Sequence, residues 1–103
     1  MPTINKPTKK RTYKKNDKNA QIASIYNSTI WKNMRLSYIM HHPICEYCAQ
    51  RGITRPATEV HHIQYISSGR NIEEMQRIAY NQDNLIALCT ECHHNVHNNK
   101  IKL

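Results

Sequence analysis

Cys45 and Cys48, and again Cys89 and Cys92, stand in the Cys-x2-Cys spacing that lets two sulfurs reach one ion from a single tight turn. Forty residues separate the two pairs, so an ion held by all four would tie the start of a domain to its end. Four thiolates suit tetrahedral Zn2+, which has no redox chemistry and closes a structural site. Disulfides or unligated core thiols are the alternatives. A zinc clip explains the cysteines and leaves the histidines unaccounted for.

Five of the seven histidines fall between His61 and His97. On a helix beginning near Cys92, His93 and His97 lie four residues apart on one face, a spacing at which two imidazoles grip one divalent ion. A polar helix face is the alternative, and His94 points elsewhere. His61 and His62 are neighbours in "TEVHHIQYI", a stretch with the β-branched and aromatic content of a strand, where adjacent side chains alternate faces. One can complete a metal site while the other stays free, with a pKa near neutrality, to act as a base. His41 and His42 precede Pro43 at an expected helix end and have no ligand spacing to any other group.

These residues need positioning by a small domain. The chain has 103 residues, 39% of them hydrophobic, and a core of that size gains from a metal staple. No window has the roughly 18 apolar residues of a membrane span, and no apolar signal-peptide region is visible, so a cytoplasmic protein with reduced thiols is expected. The net charge is +8. Seven of the 15 lysines and arginines, against one acid, lie in residues 1–19, while the remainder is nearly balanced. This predicts a disordered basic arm attracted to phosphate, with Lys9, Lys10, Arg11, Lys14 and Lys15 as its DNA-binding residues; a solubilising tail is the plain alternative.

Helical spacing runs from Gln21 to about Met40, with Ser28 able to cap a second helix near Thr29. "NIEEMQRIAY" reads as a short helix or ordered insertion, "NLIALC" as a second strand and "TECHHNVHNNK" as a closing helix. Trp31, Met34, Ile63, Leu85, Ile86 and Leu88 are the expected core.

The combined pattern "CEYC…EVHHI…NLIALCTECHHNVH" resembles the HNH endonucleases, the ββα-metal (His-Me finger) nucleases, over about residues 31 to 100. The resemblance implies an α+β fold: a zinc-stapled ββα core in residues 43–103, leading helices in 20–42 and the arm in 1–19. It implies further that His61 is a metal ligand, His62 the general base, Asn84 the residue holding the loop that orients the base, and His93 and His97 metal ligands. On its own, Asn84 in "NQDNL" reads as a turn residue.

The sequence departs from the family pattern in three places. His61 stands where most zinc-stapled members have Asp, "QYISSGR" replaces a Pro and a Gly-Gly turn, and the loop from Ser67 to Asp83 is longer than in the nuclease colicins. A three-imidazole site favours Zn2+, Ni2+, Mn2+ or Co2+ over Mg2+. The implied activity is one-metal hydrolysis of DNA, with Arg70 and Arg77 as candidate phosphate contacts, and nicking by a monomer or weak dimer. Small members of the family also imply a phage protein working in the host cytoplasm beside the large terminase subunit. The rival from another class is a zinc-ribbon DNA-binding module whose catalytic site has lapsed.

Overall fold

The computed structural model describes residues 17–103, so the arm residues Lys9, Lys10, Arg11, Lys14 and Lys15 lie outside the described residues. Helix α1 is Lys18–Tyr26, opened by Asp17, whose carboxylate accepts the Asn19 N–H at 2.7 Å. Lys18 and Asn19, assigned to the arm on sequence, form its first turn. Helix α2 is Thr29–His41. Ser28 makes the corner: its Oγ accepts the Trp31 N–H at 3.1 Å and donates to the Ile25 carbonyl at 2.6 Å. With that proton committed, the Tyr80 hydroxyl 2.9 Å away is left to donate to the same oxygen. Helix α2 stops at His41 because the residue before a proline avoids helical angles.

Cys45 caps the short helix α3, Glu46–Gln50. Gly52, at φ 75°, turns the chain back so that Cys45 N–H reaches the Arg55 carbonyl at 2.7 Å. Strands β1 (Glu59–His62) and β2 (Leu85–Leu88) pair antiparallel, with Glu59 opposite Leu88 and His62 opposite Leu85. Helix α4, Ile72–Ala79, fills the connection between them, and α5, Thr90–His97, follows β2 directly. This is the expected α+β arrangement, a two-stranded sheet and a closing helix behind leading helices.

Three apolar clusters hold it. Ile86, Leu88 and Val96 pack with the four cysteines; Ile25, Ile66, Met75 and Ala79 join α1 to α4; Trp31, Tyr38, Leu85 and Ala87 join α2 to β2. A half-buried carboxylate pins the last of these. Glu46 Oε2 accepts the Ala87 N–H and the Tyr38 hydroxyl, each at 2.7 Å. Burial, and then Glu46, push the Tyr38 phenol well above its ordinary pKa, so it remains a donor. Of the expected core, Trp31, Leu85, Ile86 and Leu88 are buried and Met34 is half-buried, whereas Ile63 is 45% exposed. Strand β1 ends at His62, so Ile63 has left the sheet whose alternation would have turned it inward.

Gly69 is required by proximity, since a Cβ there would sit 2.7 Å from Met75 Cγ and 2.8 Å from its backbone nitrogen. Gly69→Ala is therefore expected to destabilise the domain by about 1–3 kcal/mol, the cost of overpacking a rigid contact. Urea denaturation checks this, and an unchanged midpoint would show that α4 shifts freely.

Candidate active site and metal centres

Two helix N-termini bring the thiols together. Cys45 caps α3 and Cys89 caps α5, and Cys48 and Cys92 follow within the first turn of each. The four sulfurs lie within 4.8 Å of one another, with Cys48 Sγ 3.6 Å from Cys92 Sγ and 4.0 Å from Cys89 Sγ. A disulfide would need about 2.05 Å. A tetrahedron with Zn–S bonds of about 2.3 Å has edges of about 3.8 Å, which these separations match. Burial and neighbouring thiols push the Cys92 thiol up, and Cys48 rises chiefly through burial. For Cys89, burial works against the thiolate, yet N–H and thiol donors hold it down to about 7. Such a set ionises fully only against a cation.

The second cluster is three imidazoles. The ligating atoms of His61, His93 and His97 lie within 4.8 Å of one another, and His93 Nε2 is 3.1 Å from His97 Nε2. Metal–nitrogen bonds of about 2.1 Å set neighbouring nitrogens about 3.0–3.4 Å apart, so the donors fit a divalent ion. The pKa of His61 is pushed down to about 4, first by burial and then by the surrounding histidines. Burial and His97 also lower His93, opposed by Glu59. Lowered pKa values keep His61 and His93 as neutral donors near pH 7, the form a metal takes.

His62 belongs to neither cluster. Its Nε2 lies 3.0 Å from the Ala79 carbonyl oxygen, which can only accept, so Nε2 carries the proton and Nδ1 the free lone pair. Trp31 packs on the ring at 4.6 Å between centroids, and Tyr26 meets it edge-on at 6.1 Å. Burial lowers its pKa, partly offset by the Ala79 bond.

Asn84 braces the surrounding backbone. Its Nδ2 donates to the carbonyls of Gln64 at 3.0 Å and Ile78 at 3.2 Å, its Oδ1 accepts the Gln64 N–H at 2.7 Å, and its own carbonyl accepts the Ile63 N–H at 2.8 Å. It thereby ties the chain leaving β1 to the last turn of α4, where Ala79 holds His62.

Neighbouring strand residues face opposite ways, yet His61 and His62 line one cavity of about 480 Å3. The sheet has two strands, so one edge of β1 is free, and all four β1 residues border this cavity. A hollow along a free strand edge is reached from both faces.

Other candidates lie elsewhere. Arg70 is exposed and pairs with Glu74 at 2.9 Å, and neither it nor Arg77 lines the cavity. His41 and His42 give their Nδ1 protons to the carbonyls of Ser37 and Tyr38 and border a separate hollow beside Gln82 and Asp83. His94 bonds Asn98. Glu59, Tyr26 and Tyr65 border the histidine cavity and were not singled out on sequence. Period-two spacing from His61 would have found Glu59, whereas no local signal marks the tyrosines.

The family model for "HNH endonuclease" matches residues 45–99, a stretch that includes all four cysteines, His61, His62, Asn84, His93 and His97. The chain belongs to the HNH endonuclease family. It is thus a nuclease of a DNA-binding, metal-using class. The HNH endonuclease is similar, at a TM-score of 0.64 and 26% identity, to the crystal structure of the deep-sea thermophilic bacteriophage GVE2 HNH endonuclease with manganese ion. The likeness covers 79% of this chain and 83% of that one. No curated protein matches the chain.

A structural dication in a domain this small contributes about 10–16 kcal/mol, against a typical net stability of about 5–15 kcal/mol. Stripping metal from the four thiols with a strong chelator, or Cys89→Ser, is expected to unfold the domain. Retention of the far-UV circular dichroism of the metal-loaded protein would show that the cluster is dispensable.

Proposed function

We propose that this HNH endonuclease hydrolyses DNA phosphodiester bonds with one divalent ion held by His61, His93 and His97 and with His62 as general base, while Cys45, Cys48, Cys89 and Cys92 hold a structural Zn2+. One juxtaposition carries the proposal: three imidazole donors that fit an ion share a cavity with a fourth histidine whose Nε2 is fixed by Ala79. An ion there supplies Lewis-acid stabilisation of charge on the phosphate and on the 3′ leaving oxygen. His62 takes a proton from water at Nδ1, and in-line attack leaves a 5′-phosphate and a 3′-hydroxyl. Asn84 is a positioning residue, acting through Gln64 and the end of α4. Three nitrogen ligands favour Mn2+, Ni2+, Co2+ or Zn2+ over Mg2+, and the similar GVE2 structure holds manganese.

A single site cuts one strand per encounter, so a monomer or weak dimer nicks. The basic arm supplies sequence-independent affinity that falls with salt. Arg70, just ahead of α4, and Arg77, exposed on α4, are the candidate phosphate contacts, with Arg70 sharing its guanidinium with Glu74. The likeness to a bacteriophage nuclease supports a phage role; work in the host cytoplasm beside a large terminase subunit is what the family resemblance implies, and absence of that subunit from a tagged-protein pull-down during infection would remove the packaging role.

Supercoiled plasmid provides the main test, with Mg2+, Mn2+, Ni2+, Co2+ and Zn2+ in parallel. Wild type is expected to accumulate open circles before linear DNA. His62→Ala should lose about 10²–10⁴-fold in rate, the usual worth of a general base, and Asn84→Ala about 10²-fold through misplacement. Binding without cutting under every metal would favour the lapsed DNA-binding module.

A further inference from the structure

Next to the histidine cluster stands a side chain with no assigned role. Tyr65 meets the His61 ring edge-on at 5.9 Å between centroids and borders both the 480 Å3 cavity and a neighbouring hollow of about 290 Å3 lined by Ile63 and Leu103. The residue is 53% exposed, but its backbone is held on both sides. Gln64, before it, is clasped by Asn84 through N–H and carbonyl, and Ile66, after it, is buried against Met75 and Ala79. The Tyr65 carbonyl itself accepts the N–H and the hydroxyl of Ser68, at 3.0 and 2.6 Å. An exposed ring on an anchored backbone loses little freedom when a ligand meets it.

The chemistry of the cavity narrows what that ligand is. Among the described residues no lysine or arginine lines it; beside the histidines it offers Glu59, Ser67 and the apolar or aromatic surfaces of Ile22, Tyr26, Val60, Tyr65 and Ile66. Away from the three imidazoles, which the proposed mechanism gives to the ion and the phosphate, such walls suit the face of a base. In an intact duplex both faces of every base are covered by their neighbours, so an aromatic side chain can stack only on a base that has left the helix.

We infer that Tyr65 is a stacking platform for an unpaired base beside the scissile phosphate, and that single-stranded or locally melted DNA is the substrate form this site takes up. The inference rests on the nuclease reading for the position of the cut, and its test is made by binding, so the two fail separately. The full chain, with no divalent ion added, is titrated into a short single strand carrying 2-aminopurine and into the corresponding duplex. The single strand is expected to bind more tightly, with 2-aminopurine emission changing as the base stacks. Tyr65→Ala should weaken single-strand binding about 5- to 150-fold, the loss on removing a base–aromatic stack. It should leave duplex binding within about twofold, and Tyr65→Phe should behave as wild type. Equal weakening on both DNA forms, no weakening on either, or emission indifferent to Tyr65 would overturn the inference. Should the binding pattern hold while Mn2+ elicits no cleavage of either oligonucleotide, the nuclease reading fails and the platform stands; cleavage indifferent to Tyr65→Ala alongside an absent binding pattern is the reverse. Circular dichroism of Tyr65→Ala guards against a folding artefact, and Tyr65→Leu, which keeps apolar bulk without the ring, is then the deciding variant.

Discussion

Four sulfurs converging at two helix N-termini set the geometry on which everything else depends. Helix α5 carries His93 and His97, but it buries only Cys92 and Val96, too little apolar surface to fix an eight-residue helix by packing alone. Its first turn is located by the cysteines. Cys89 and Cys92 share a cluster with Cys45 and Cys48, and Cys45 is tied in turn to the Arg55 carbonyl. Because β2 runs straight into Cys89 and pairs with β1, the same cluster sets the distance from α5 to His61. The packing of the four cysteines thus bears on whether three imidazoles meet.

His62 depends on a different support. Its orienting partner, the Ala79 carbonyl, sits at the end of α4, an insertion between the two strands of the sheet. That carbonyl is placed by the packing of Ile25, Ile66 and Met75 around Ala79, and by Asn84, which links the last turn of α4 to the chain leaving β1. The leading helices are therefore part of the site: α1 contributes Ile25 to this cluster and α2 contributes Trp31, whose ring lies on the imidazole. His61 and His62 are neighbours in sequence and rest on separate structural supports.

How legible each part was in sequence follows from how local its cause is. Cys-x2-Cys spacing, a histidine pair four residues apart, a serine cap and a proline stop act within a turn or two, and the structure places Cys45, Cys48, Cys89, Cys92, His93, His97, Ser28 and Pro43 accordingly. Ile63 was misjudged because burial in a strand depends on where the strand ends, and β1 ends one residue earlier. Arg70 stands two residues ahead of α4, and its N–H and guanidinium meet Glu74 in the first turn of that helix, a pairing that depends on where the helix starts. Tyr26 and Tyr65 gave no pattern, since each meets a histidine ring through packing between elements and not through spacing within one.

Charge separates affinity from chemistry. Much of the excess positive charge lies in residues 1–19, while the histidine cavity contains a carboxylate, Glu59, and, among the described residues, no lysine or arginine. Near neutral pH the His61 imidazole is uncharged, so it does not offset that carboxylate. Among the described residues a phosphate finds no fixed cation in this cavity, so on the proposed mechanism the attraction at the cut would come with the divalent ion. On the proposed reading the basic arm would hold DNA through the DNA backbone, in any sequence and with strong dependence on salt. Discrimination would then fall to what the cavity walls can recognise, which is shape, the face of a base and the placement of a phosphate against three imidazoles. A cavity with its own cluster of arginines would bind phosphate whether or not an ion was in place; one that lacks them ties productive binding to the ion that the reaction needs.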